Sequence, residues 1–223
     1  MIRRLAILDT ETSGLDPASD VCVEVAVVLY DVEHRAPVAS FASLVRSEVN
    51  GAYDVNRIPV EILKDAQPPD VVWRRVSLFC ETADVFVAHR AEFDRSFTPE
   101  PLRSSRPWVC SKFHVPWPEG KPGDHLVHLA LAHGVAVAQA HRARTDCDTL
   151  ARLFSRVAER CDLQELLRLA MRPRKRYESL APFSEKDVVK ASGFAWNAAK
   201  KVWEAELPEE DVTKLPFRVS EVG

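Results

Sequence analysis

Four acids and one histidine stand where they could support metal-assisted chemistry: Asp9, Glu11, Asp94, and Asp146 five residues after His141. Asp9 and Glu11 close an apolar run two positions apart, a spacing that in a strand points both carboxylates to one face. Two carboxylates aimed into one space repel each other unless a cation lies between them. Asp94 follows the apolar run 85–88 by a short turn, and Asp146 opens a long amphipathic helix. His141, across a loop-to-helix junction from Asp146, can place its imidazole and the carboxylate on either side of a water. Singly, each has an ordinary account, because strand ends carry solvated acids, helix N-termini favour them, and loop histidines lie on surfaces. Together they form the inventory needed to hydrolyse a phosphodiester with two divalent ions about 3.5–4 Å apart: hard oxygen ligands and one base for the attacking water.

The elements that must position these groups follow from hydrophobic periodicity. Residues 5–8 read as a central strand whose end carries Asp9, followed by a Thr-Ser-Gly turn. The β-branched stretch 21–30 and the alternating stretch 38–45 give two more strands, and their short connections make the three mainly antiparallel. Residues 59–66 and 71–82 read as helices, 85–88 as a strand, 91–97 as a helix and 107–110 as a last strand. The stretch 115–123, holding Pro116, Pro118, Gly120, Pro122 and Gly123, is a loop. Residues 124–133, 145–160 and 162–171 read as helices, the second with Leu150, Leu153, Phe154 and Val157 on one face. The predicted class is α/β, a mixed sheet of three antiparallel strands plus parallel strands, flanked by helices.

Composition bounds the answer without choosing it. The 223 residues suffice for one well-buried domain with some chain left over, and the formal charge of −3 is no global signature of nucleic-acid binding. Basic residues would have to act locally. Five scattered cysteines without a C-x-x-C pair exclude a zinc knuckle or disulfide framework and read as separate reduced thiols. The N-terminal apolar run stops at Asp9, short of the roughly 7–15 residues of a signal-peptide core, and no stretch approaches the ~20 that span a membrane. The expectation is a cytoplasmic protein with no membrane partner.

The segments Ile7-Leu8-Asp9-Thr10-Glu11-Thr12-Ser13-Gly14-Leu15, Ala88-His89-Arg90-Ala91-Glu92-Phe93-Asp94 and His141-Arg142-Ala143-Arg144-Thr145-Asp146 resemble the three motifs of the DnaQ-like DEDDh exonucleases. The resemblance covers roughly residues 4–160. It implies a ribonuclease H-like fold, two Mg²⁺ ions (Mn²⁺ able to substitute), and release of nucleoside 5′-monophosphates from a 3′ end, with single-stranded DNA the favoured substrate. Carried over by position, it implies Asp9, Glu11, Asp94 and Asp146 as metal ligands, Asp9 bridging both ions, with His141 as general base. Thr10, Thr12, Gly14, Leu15, His89 and Phe93 then fall at substrate-lining positions, Leu15 as an apolar wedge and Thr12 by backbone contact. The sequence departs from the usual pattern at two places. Arg90 replaces an Asn in the second motif and reads as slightly more at home in solvent than on a substrate phosphate. Cys147 stands where the third motif usually has Ala. Three alternatives stay open: an exoribonuclease, a polymerase-associated proofreading subunit, and a degenerate binder, the last disfavoured by the intact acid set. A polymerase, or a second copy of the chain, is a partner class left open as well.

After Met171 the character changes, which sets the expected domains at 1–171 and 172–223. Residues 172–176 read as a basic, proline-interrupted linker. A helix over 184–191 follows, with Ser184 as N-cap and Gly193 just past its end, then a hairpin of 193–196 and 202–207. This small α+β module resembles one found on some bacterial and phage DnaQ-like nucleases. From 171 to 203 eight basic residues outnumber acids by five, beside Phe194, Trp196 and Trp203, the footprint of a surface that binds phosphate and stacks bases. The same aromatics also supply the core that a unit this small needs. Trp108, Phe113 and Trp117 could likewise stack bases, with packing the preferred role for both tryptophans. His125, His128 and His133, lacking an acid at i+4, read as packing or surface groups.

Overall fold

Strand β1, Arg4–Thr12, is the centre of a five-stranded sheet, and the rest of the first unit is arranged to cover it. The computed structural model describes residues 1–120, 123, 125–138 and 141–222; the predicted loop residue Pro122 and the expected first helical residue Asp124 lie outside them. Two compact units result, Met1–Ala170 and Met171–Gly223.

In the first unit β1 pairs antiparallel with β2 (Cys22–Asp31), which pairs antiparallel with β3 (Ala36–Leu44). After α1 (Tyr53–Asn56), α2 (Val60–Lys64) and α3 (Pro69–Cys80), strand β4 (Val85–Ala88) pairs parallel with the other edge of β1. Helix α4 (Ala91–Phe97) leads to β5 (Trp108–Cys110), which adds parallel to β4. The order is β3-β2-β1-β4-β5. Helices α5 (Leu126–Ala132), α6 (Ala143–Ala158) and α7 (Leu163–Ala170) complete the unit. Among the described residues no helix is long and apolar enough to cross a membrane.

The sheet is covered on both faces, which is why β2 is a nearly unbroken apolar run, buried at nine of its ten positions. Leu5 and Ile7 of β1 join Ala26 and Val28 of β2 beneath α5, α6 and α7, while Ala6 and Leu8 join Val25 and Val27 over α3. Strand alternation makes this split, and it carries a consequence. Asp9 and Glu11 continue the Leu5–Ile7 series, so both carboxylates emerge on the α6 side. The predicted strand was too short: β1 runs to Thr12, so both acids lie inside it, opposite Ala26 and Glu24, with a register shift between Glu11 and Thr12. Bulges of this kind re-aim side chains beside functional sites. Trp117 belongs to the main core, 5.2 Å from the Phe154 ring, and Trp108 stacks on Phe86 at 4.8 Å; packing claims both.

The second unit is a four-stranded sheet in the order β7-β8-β6-β9, formed by β6 (Lys175–Ser179), β7 (Ala195–Asn197), β8 (Val202–Leu207) and β9 (Val219–Val222). The expected hairpin is β7–β8. The expected basic linker is corrected: from Lys175 it is the central strand β6, held between β8 and β9. The helix α8 spans Lys186–Ala191 after a 3₁₀ turn at Phe183–Glu185, so Glu185 and not Ser184 occupies its N-cap. Tyr177, Val189 and Phe194 form the core, with Trp203 packed against it. Arg172 pairs with Glu210 and Asp211, Lys175 with Glu221, Arg176 with Glu206, and Lys200 with Glu204. The acids of the last twenty residues thus answer much of the local positive excess, and the phosphate-binding footprint weakens accordingly.

Candidate active site

The site is assembled where β1, α4 and α6 converge. Oxygens of Asp9, Glu11 and Asp146 lie within 4.8 Å of one another, the one group of three or more potential ligands found among the described residues. Asp146 reaches β1 because α6 approaches the sheet closely. Cys147 is buried, and its thiol donates to the carbonyls of Ile7 (3.3 Å) and Ala26 (3.4 Å). A longer side chain there would push the helix, and Asp146 with it, off β1.

Asp94 stands beside this trio rather than in it. It is 3% exposed, and its Oδ1 accepts the backbone N–H and the hydroxyl of Thr10, each at 2.9 Å. Thr10, expected to line the substrate, is therefore buried and committed to Asp94. The Thr12 hydroxyl donates to the Gly14 carbonyl at 2.6 Å, and the Thr12 carbonyl accepts from Asn56 at 3.2 Å. A Cβ at Gly14 would lie 2.3 Å from the Asp20 carboxylate, so a larger residue there would displace that side chain. Leu15 is 79% exposed, an apolar side chain held out at the end of the first motif. His89 pairs with the Ser111 hydroxyl at 3.0 Å, and Phe93 packs on Phe97. Arg90 is exposed, as expected, with its guanidinium over the Phe93 ring at 5.5 Å, and its charge favours ionised Asp94.

His141 is exposed and adopts a left-handed backbone (φ 61°), and its N–H donates to Asp146 Oδ2 at 3.2 Å. Base candidate and ligand candidate are thereby joined through the chain. His133 is buried on the Leu129 carbonyl and His125 meets His128 edge-on, and among the described residues none of the three joins a group of potential ligands.

The acids are crowded and largely shielded from solvent. Burial, then the charges of Asp94, Asp146 and Glu11, push Asp9 well above the usual carboxylate range. Burial and the neighbouring acids raise Glu11 to about 8; burial raises Asp94 to about 7 against its Thr10 hydrogen bonds, and Asp146 to about 6 against the His141 N–H. Such a set is electrostatically incomplete without a cation.

Residues 6–115 match the family described as "Exonuclease", and residues 176–222 match a "domain of unknown function". The chain is 27% identical over 165 residues to DNA polymerase III subunit epsilon of Treponema pallidum (strain Nichols), covering 66% of this chain and 73% of that one. Its match to the 3′-5′ exonuclease DinG of Staphylococcus aureus (24% identity) covers 67% of this chain but only 17% of DinG. Exonuclease X, solved in complex with 5′ overhanging duplex DNA, aligns with a TM-score of 0.57 at 26% identity over 74% of this chain and 97% of that chain. Residues 6–115, taken with these relatives, show an exonuclease domain of the DnaQ-like family. E. coli exonuclease I with a dT13 oligonucleotide shares the fold, with a TM-score of 0.63 at 13% identity over 97% of this chain and 68% of that one.

As a DnaQ-like exonuclease the chain is an enzyme of the nuclease class, with the ribonuclease H-like mixed sheet its motifs implied. Its acids suit a divalent ion: three carboxylates converge, a fourth is buried beside them, and burial raises all four, with repulsion adding to it at Asp9 and Glu11. Since folding lifts Glu11, Asp94 and Asp146 above their ordinary values, the metal-free folded chain binds more protons than the unfolded chain between about pH 4 and 8, and its stability falls as pH rises through that window. A divalent ion binds the ionised acids, so its stabilisation grows over the same window. Mn²⁺ at about 100 times its Kd at pH 8 is expected to add about 2.7 kcal/mol, several degrees in Tm, and the same concentration far less at pH 5. Equal shifts at both pH values, in a thermal melt, would contradict this.

One residue of this DnaQ-like site was not anticipated. Glu24 on β2, directly opposite Glu11, is 4% exposed. Its signal was present in the sequence as the lone charge within the run Val21–Tyr30, where every neighbour is apolar.

Proposed function

We propose that this chain is a divalent-metal-dependent 3′→5′ exonuclease of the DEDDh group, releasing nucleoside 5′-monophosphates from single-stranded DNA. The observation that carries this reading is the convergence of Asp9, Glu11 and Asp146 within 4.8 Å, with His141 tied to Asp146. Asp9, Glu11, Asp94 and Asp146 would hold two Mg²⁺ ions, or Mn²⁺ in their place, with Asp9, whose charge feels all three other acids, at the middle of the set. When bound, such ions lower the pKa of a water and offset the charge developing on the phosphoryl oxygens. His141, open to solvent, takes the proton of the attacking water and passes it to bulk. Leu15 lies against the terminal base, and Thr12 meets the terminal nucleotide through its backbone. Thr10 holds Asp94 in place by two hydrogen bonds.

DNA is supported by the names of the relatives, an epsilon subunit of DNA polymerase III and an exonuclease X bound to duplex DNA. The epsilon relative also makes a DNA polymerase a partner class to assay, and the unpaired cysteines suit a reducing cytoplasm. The substrate assignment is tested by kcat/KM on single-stranded DNA and RNA of one sequence in Mg²⁺. DNA is expected to be favoured by at least about tenfold, the worth of one well-placed polar contact. Equal or better use of RNA would replace DNA by RNA as the substrate.

A further inference from the structure

The acid that the family motifs do not include, Glu24, is the one acid here that is fully answered. Its Oε1 accepts Arg142 Nη2 at 2.8 Å; its Oε2 accepts Arg142 Nε at 3.0 Å and the backbone N–H of Ala143 at 3.0 Å. With both oxygens occupied it is not among the converging ligand groups, although it faces Glu11 across the sheet. Ala143 is the first residue of α6, and the N-cap residue Arg142 makes no side-chain capping bond of its own. The cap instead comes from the neighbouring strand, from a residue 119 positions away. The Glu24 side chain is 6% exposed and that of Arg142 36%, so the pair spans from the sheet interior to the rim. A bidentate guanidinium–carboxylate pair fixes distance and plane together.

Arg142 lies between the two groups that matter, immediately after His141 and four residues before Asp146. It sets the loop's arrival and the helix's start at once. We infer that Glu24 and Arg142 are positioning residues, a latch from β2 to the first turn of α6 that holds the His141 imidazole and the Asp146 carboxylate over Asp9 and Glu11. The inference rests on the reading above, in which Asp146 holds an ion and His141 activates water. The latch touches neither substrate nor ion; it acts through the segment it anchors.

The test uses the full chain with Glu24→Gln, which keeps the shape and can still accept the Ala143 N–H, and Arg142→Lys, which keeps the charge and loses the fork. Expected for both is a fall in kcat on single-stranded DNA of about 10- to 100-fold, the usual consequence of removing the support of a ligand, with KM nearly unchanged. Calorimetric Mn²⁺ titration of Glu24→Gln is expected to show weakened affinity, because Asp146 is no longer held in place. Thermal melts and circular dichroism report the folded fraction, to which kcat is normalised. A wild-type kcat and Mn²⁺ affinity in Glu24→Gln would overturn the latch, as would a kcat loss that vanishes on normalisation. Should Glu24→Gln fail to fold, Arg142→Lys decides alone: full kcat without the fork overturns the proposal. A wild-type chain lacking Mg²⁺-dependent hydrolysis would instead sink the exonuclease reading, and the two failures are distinct.

Discussion

Asp9→Asn is expected to abolish hydrolysis, lowering kcat on single-stranded DNA by at least about 10³-fold, several kcal/mol of lost charge stabilisation. The substitution keeps size and hydrogen-bonding shape and removes one charge from the middle of the set. Asp9 feels Asp94, Asp146 and Glu11 together, so no other position influences all of the site so directly. Without a cation the same change relieves repulsion, so the variant is expected to melt no lower than wild type in EDTA. Stability and activity should therefore part in opposite directions, and that separates a ligand from a structural acid. Mn²⁺ calorimetry together with melts in EDTA checks both halves. A variant that keeps Mn²⁺ affinity and rate would remove Asp9 from the ligand set.

The second large effect concerns the base. His141 sits at φ 61°, a conformation that most side chains adopt at a cost and Asn tolerates, so His141→Asn removes the imidazole without forcing the loop to rearrange. The His141 N–H to Asp146 is a backbone bond and survives the change. The expected result is a fall in kcat of about 10²- to 10⁴-fold, with Mn²⁺ affinity and KM close to wild type. If the variant instead lost its metal affinity, His141 would be a ligand or scaffold and not the base.

Much of this site was legible because its parts lie on strongly patterned elements. The apolar runs of β1, β2 and β4 and the periodic face of α6 announce themselves, and each ligand candidate is attached to one of them. What escaped notice depends on distant partners. Strand β6, read as a basic linker, is a strand because Lys175 meets Glu221 and Arg176 meets Glu206 across the sheet, partners 46 and 30 residues away. The same pairing undoes much of the local positive charge that its sequence displays. β1 outruns its apolar stretch because pairing with β2 continues to Glu11, which carries both acids into the strand. Thr10 alternates away from Asp9 and Glu11, and its backbone N–H and hydroxyl reach the buried Asp94 carboxylate. Glu24 was hidden in a β-branched run, and only the fold brings it to Arg142, 118 residues on. Ser184 is displaced as a cap by a 3₁₀ turn that delays the helix to Lys186.

The most direct measurement follows 5′-labelled single-stranded DNA incubated with the wild-type chain and with Asp9→Asn, each in Mg²⁺ and in EDTA. The account predicts a ladder shortening one nucleotide at a time from the 3′ end, with 5′-monophosphates released, for wild type in Mg²⁺ alone. Internal cuts, shortening that persists in EDTA, or an Asp9→Asn chain as active as wild type would contradict it.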